Sequence, residues 1–301
     1  MLKLKYLTIA AILGTAVISC NQEQDELAKA PVVDSTAAQI IVSSATIDGI
    51  INSIPSPLET TTLIKESGLA YDESYLNPSD NAEHYRNKYS KSLAIGVYSA
   101  DLGYLNLYQK NFAAINYIIA VNKLAGDLQI EQFFDFETLK RLASSNDNLD
   151  SLLYISTDCF NKMDTYLRAN KRSEQSSLII IGAWLEGLSF ETKMAANNPG
   201  KKIRESIGEQ KVAMNNIIAI LDAYHSIPFF ENARKKMEPL KALFDQVNIS
   251  YNYREPETKE VNGELVVVEK SESEVTISED VFKNILKTTS EIRNSILETS
   301  N

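Results

Sequence analysis

No proline occurs between Ser79 and Asn198, and through that stretch apolar residues return at spacings of three and four. Such a period over so long a run specifies amphipathic or buried helices. Gly and Pro number only 11 and 8 of 301 residues. That scarcity removes collagen-like, proline-rich and turn-dense all-β architectures. The chain is expected to be all-α, a multi-helix bundle or an irregular α-solenoid, within a single helical domain over 34–301.

Helices are predicted over Thr36–Ile54, Leu58–Glu66, Ser79–Gln109 and Asn111–Asp127. Asp135 caps a short helix through Leu142, Asp147 or Asn148 caps one to Ala169, and Ser173 opens one to Ala196. Asn197-Asn198-Pro199-Gly200 is a firm break. Helices over Lys201–Tyr224 and Pro228–Val247 follow, with Pro228 tolerated in a first turn. The last helix spans Ser278–Glu298 with an apolar stripe of Val281, Ile285, Leu286, Ile292 and Ile296.

Residues 248–277 differ in character. Ile249–Tyr253 and Glu264–Val268 read as strands, and Asn262-Gly263 is a hairpin turn signal. A small β-hairpin is therefore expected near 248–270. The segment carries seven acids against three basic residues, so it should protrude into solvent.

Ile95-Gly96-Val97-Tyr98 is echoed by Ile181-Gly182-Ala183-Trp184, each with a leucine four positions on, Leu102 and Leu188. Both motifs lie in helices that are apolar nearly all round, which marks burial on several sides. A glycine inside a helix costs about 1 kcal/mol. The two glycines are best understood if another helix backbone crosses close by. The echo also leaves open two related helical halves.

The N-terminus carries Lys3 and Lys5, then an apolar stretch from Tyr6 to Val17 that ends in Val17-Ile18-Ser19-Cys20. The stretch is shorter than the roughly 20 residues of a spanning helix and has the length of a secretory signal core. A Cys directly after the small residue resembles the lipobox of bacterial lipoproteins. That resemblance implies a signal peptide over 1–19, cleavage before Cys20 and acylation there, and two or more acyl chains anchor stably. Residues 20–33, with Glu23, Asp25 and Glu26, read as an acidic flexible tether. The acidic run resembles the export signals of Bacteroidetes lipoproteins. It implies the outer membrane, with either the periplasmic or the outer face.

A formal charge of −10 argues against nucleic acid, whose phosphates need a basic face. Metal chemistry has little to work with. His84, His225 and the buried-looking Cys159 are not spaced as ligands. Asp80 and His84 at four residues' separation suit a surface hydrogen bond on a shared helix face. His225, at a helix end, suits the dipole. No Gly-x-Ser-x-Gly elbow occurs, and no cofactor is expected.

The most informative polar residues are Asp101 and Glu186, one in each echoed helix. A buried charge needs a partner, and its pKa moves. If the helices adjoin, both acids can face one cavity with Tyr98, Tyr104 and Trp184. Such a cavity would suit ligand binding or acid–base hydrolysis. Alternatively each acid is tied to a donor as a structural bond. The loop Tyr71–Pro78 could cover the end of the bundle.

The lipobox, the tether and the helix carrying Leu93-Ala94-Ile95-Gly96-Val97-Tyr98-Ser99-Ala100-Asp101-Leu102-Gly103-Tyr104 together resemble a family of helical Bacteroidetes lipoproteins to which no chemistry is assigned. The resemblance implies location and fold, and transfers no catalytic residue. The leading expectation is a non-catalytic, lipid-anchored envelope protein. Its partners would be the membrane, through Cys20, and another envelope protein. The alternatives are a ligand-binding lipoprotein with a pocket between helices 92–108 and 177–190, and an envelope hydrolase using the paired acids.

Overall fold

The computed structural model describes residues 64, 69–143, 149–252, 257–261, 264–268 and 272–299. The signal peptide, the tether and the helices expected over Thr36–Ile54 and Leu58–Glu66 lie outside the described residues, apart from the buried Ile64.

The architecture is a helical bundle with a small β ribbon. Helix α1 spans Lys88–Leu107, α2 Asn111–Asp127, α3 Phe136–Ala143, α4 Leu149–Ala169 and α5 Ser173–Asn197. After Pro199-Gly200 come α6 (Lys201–Ala223) and α7 (Pro228–Asp245), and α8 (Glu279–Thr299) closes the chain. The expected start of the first long helix at Ser79 is corrected. Ser79–Glu83 forms a 3-10 turn, and α1 begins at Lys88. The reason is a capping box: Asn87 Oδ1 accepts from the Tyr89 and Ser90 amides, and the Asn87 amide donates to Ser90 Oγ. Asp135 caps α3 as expected, accepting from the Thr138 amide at 3.0 Å. Gln109, Gln129 and Lys171 adopt positive φ just past the ends of α1, α2 and α4, in the left-handed conformation that terminates helices.

Helix α5 is the centre. It packs on α1, α4, α6 and α8, and α8 also returns against α7. These returns make a bundle, since solenoid repeats touch only their neighbours in sequence. The fully buried side chains include Leu93, Ile95, Leu105, Phe190, Phe230, Phe244 and Phe282.

The β excursion is richer than the expected hairpin. Strands β1 (Asn248–Asn252) and β4 (Glu272–Thr276) pair antiparallel, as do β2 (Glu257–Val261) and β3 (Glu264–Val268). The inner pair nests inside the outer in sequence. β1 and β4 both lie against α6, where Gly208 leaves the space filled by Val275 and Ile277.

The echoed helices α1 and α5 form the most intimate contact in the molecule. A Cβ on Gly96 would overlap Ile179 O and stand 2.7 Å from Ala183 N. A Cβ on Gly182 would overlap Leu93 O and stand 3.3 Å from Val97 N. The helices run parallel. Lys88 pairs with Glu174 at their starts, the glycines meet two turns on, and Tyr104 stacks on Phe190 at 4.9 Å a further two turns along. All three pairs keep one sequence offset of 86 residues, so a local two-fold relates the two helices.

Candidate functional site

The parallel seam brings Asp101 and Glu186 into one buried region, as expected from their places in the echoed helices. Both side chains are fully buried. Their surroundings differ sharply.

Glu186 is held by Arg293, which reaches in from α8. Arg293 Nη2 donates to Oε1 at 2.6 Å and Nε to Oε2 at 2.8 Å, a bidentate geometry that satisfies both oxygens. Burial works against the Arg293 charge, but the Glu186 carboxylate more than offsets it and raises the guanidinium pKa. Sequence reasoning missed Arg293, which lies 107 residues from Glu186. One signal was present: Arg293 falls on the buried stripe Ile285, Thr289, Ile292 and Ile296 of α8.

Asp101 is poorly served. Its Oδ2 accepts one long hydrogen bond, 3.3 Å from the Asn77 amide, and its Oδ1 has no partner among the described residues. Burial drives its pKa well up, the nearby Glu186 adds to the rise, and Arg293 opposes it. Ser189 Oγ, one turn from Glu186, and Thr289 Oγ1, one turn from Arg293, are likewise buried without a partner among the described residues.

The tyrosine hydroxyls are committed to the main chain of residues 69–78. Residues 69–78 form a strap that runs antiparallel along one flank of α1, and the side chains of that flank hold its main chain. Tyr108 Oη donates to Leu69 O at 2.7 Å, and Tyr104 Oη accepts from the Asp72 amide at 3.0 Å. Asp101 accepts from the Asn77 amide, and Tyr98 Oη donates to Pro78 O at 3.0 Å. Lys193 of α5 adds a bond from Nζ to Tyr75 O at 2.9 Å. Burial lowers its pKa, partly restored by Glu186. Burial pushes the Tyr98 and Tyr104 hydroxyls above their ordinary range, so both stay neutral. The Tyr71–Pro78 loop, expected over the end of the bundle, is corrected: it lies along the flank of α1, held there by Tyr98, Asp101, Tyr104 and Tyr108.

Trp184 does not belong to this region. Its Nε1 donates to Gln210 Oε1 of α6 at 2.8 Å. Two residues along a helix is more than half a turn, so Trp184 and Glu186 face different neighbours. The expected grouping of Asp101, Glu186, Tyr98, Tyr104 and Trp184 around one cavity is therefore corrected. The acids adjoin, the two tyrosines bind the strap, and the tryptophan bonds to α6.

The remaining candidates are plain. His84 ends the 3-10 turn and is exposed, so it shares no helix face with Asp80. His225 is exposed just past α6, its Nδ1 2.7 Å from Asp222 O. Cys159 is buried and its thiol pKa is raised by burial. Among the described residues no cluster of three His, Cys, Asp or Glu could hold a metal ion. No described helix is long and apolar enough to cross a membrane. Compared with models of protein families, with curated proteins and with solved structures, the chain finds no match.

Proposed function

We propose that the protein is a non-catalytic, lipid-anchored component of the cell envelope. It would be held at the outer membrane through acylated Cys20 and would offer its helical domain to another envelope protein. The observation that supports a structural role for the domain is the commitment of its buried polar groups. Glu186, Tyr98, Tyr104 and Trp184 are each bonded to a distant element of the same chain. A hydrolytic site would leave a pair of acids facing a reacting atom, and here Glu186 is occupied by Arg293. The β ribbon, in a segment with seven acids against three basic residues, is the natural arm for contact.

The lipid anchor is tested by metabolic labelling with a radioactive fatty acid. Label should enter the wild type and be lost in Cys20→Ala, which should also leave the membrane fraction. The interaction role is tested by cross-linking in native membranes followed by mass spectrometry. A stoichiometric protein cross-linked through 248–277 supports it, and its persistence in Asp101→Asn keeps the buried acids out of the interface.

A second reading, a ligand-binding lipoprotein, is favoured by Asp101 Oδ1, which has no partner among the described residues. It requires a small molecule to co-purify with the wild type and to be lost from Asp101→Asn.

A further inference from the structure

The strap and α1 are joined by four side chains of one flank, Tyr98, Asp101, Tyr104 and Tyr108, each bonded to the strap's main chain. Three are phenols, and burial raises the pKa of each. Asp101 is the exception: a fully buried carboxyl with one long bond to the strap and one oxygen without a partner among the described residues.

We propose that Asp101 is a proton-binding site that latches the strap. With a proton on Asp101 the strap lies closed on α1. Loss of that proton releases it and uncovers the tyrosine flank. An ionised carboxylate sealed under the strap would be desolvated with a single weak donor, which is costly. Once the strap lifts, water solvates the same charge. Opening and deprotonation are thus linked, and rising pH favours the open form.

The neighbours on every side leave Asp101 as the group that changes. On α5, Glu186 is already paired with Arg293 of α8, and the Lys193 ammonium is bonded to Tyr75 O. On α2, burial and then Asp101 itself raise the Tyr117 pKa, and just before α1 burial raises that of Tyr85, so both phenols stay neutral. On the strap, Tyr71 and Tyr75 are raised by burial, and Asp72 is lowered by its bond with Ser74 and stays ionised. The fold itself supplies the strap's other attachments, so release is local.

The test is amide hydrogen exchange of the full chain across a pH series, corrected for intrinsic exchange and referenced to the amides of α5. The opening constant of residues 69–78 should rise about tenfold per pH unit above the ordinary Asp value of about 4, until Asp101 ionises in the closed form. Asp101→Asn, neutral at every pH, should keep the strap protected and flatten the profile. Tyr104→Phe should open the strap more at every pH and leave the slope intact. Infrared spectroscopy should show a neutral carboxylic acid in the same window, absent from Asp101→Asn. A flat wild-type profile overturns the latch, as does an unchanged slope in Asp101→Asn or an infrared spectrum without the neutral acid. Should Asp101→Asn fail to fold, the wild-type profile and spectrum still decide.

Discussion

Gly96 and Gly182 face one another reciprocally: each meets the carbonyl three residues before, and the amide one residue after, the opposite glycine. The α1–α5 seam is therefore closed backbone to backbone, with no room for a side chain at its centre. Gly→Ala within a helix normally stabilises by about 1 kcal/mol. At either of these positions the sign reverses, because the added methyl would lie against main chain that cannot yield. Gly96→Ala and Gly182→Ala should each destabilise by about 3 kcal/mol in chemical denaturation. Gly126→Ala in α2, where nothing lies within 4 Å, should instead stabilise by about 0.5–1 kcal/mol.

Removing one partner of the Glu186–Arg293 pair strands a charge in the core. Glu186→Gln and Arg293→Met should each cost about 3–5 kcal/mol. Glu186→Leu combined with Arg293→Met should recover most of that loss, because it removes both desolvated charges together. A double-mutant cycle measured by urea denaturation gives the coupling, and strictly additive losses would contradict it.

The raised pKa of Asp101 fixes the sign of a stability change with pH. The unfolded chain releases the Asp101 proton near pH 4, whereas the folded chain retains it to higher pH. Stability from this group is thus complete below pH 4 and declines as pH rises, by about 1.4 kcal/mol per unit while the folded form stays protonated. Asp101→Asn should gain stability relative to wild type between pH 5 and pH 8, as thermal unfolding at the two values would reveal.

The hydroxyl of Tyr108 binds Leu69 O and that of Tyr104 binds the Asp72 main chain. Tyr108→Phe and Tyr104→Phe keep the rings and lose these bonds. Each should cost about 1 kcal/mol, with faster proteolysis inside residues 69–78 as the local sign.

Cys159 is buried, with its thiol held in the protonated form by burial. Since the thiolate is the reactive species, alkylation of Cys159 in the folded protein should be slow and should match the rate of unfolding. Rapid alkylation under native conditions would contradict its placement.

Local signals in the sequence were read correctly where local chemistry decides. Asp135 as a cap, the Pro199-Gly200 break and the bounds of α2 belong to this group. The glycine echo was legible because a glycine inside an apolar helix needs a reason, and close backbone approach is the commonest. The start of α1 was misplaced because residues 79–86 carry no strong breaker, whereas the Asn87–Ser90 capping box fixes the true start. Strands β2 and β4 escaped because Glu257–Val261 and Glu272–Thr276 lack a run of β-branched apolar residues. Of the partners of the buried acids only Arg293 left a trace, as a charge on the buried stripe of α8, and the pairings themselves were not legible. Asn77 and Arg293 meet Asp101 and Glu186 through tertiary pairing across 24 and 107 residues, and no local pattern encodes that.

Arg293 lies in α8, 107 residues beyond Glu186, yet it neutralises the charge at the centre of the bundle. Every earlier helix can be synthesised while Glu186 is still unpaired. The acid therefore has no partner until α8 is made and docked. A chain cut anywhere between Glu186 and Arg293 would carry an uncompensated acid at its heart.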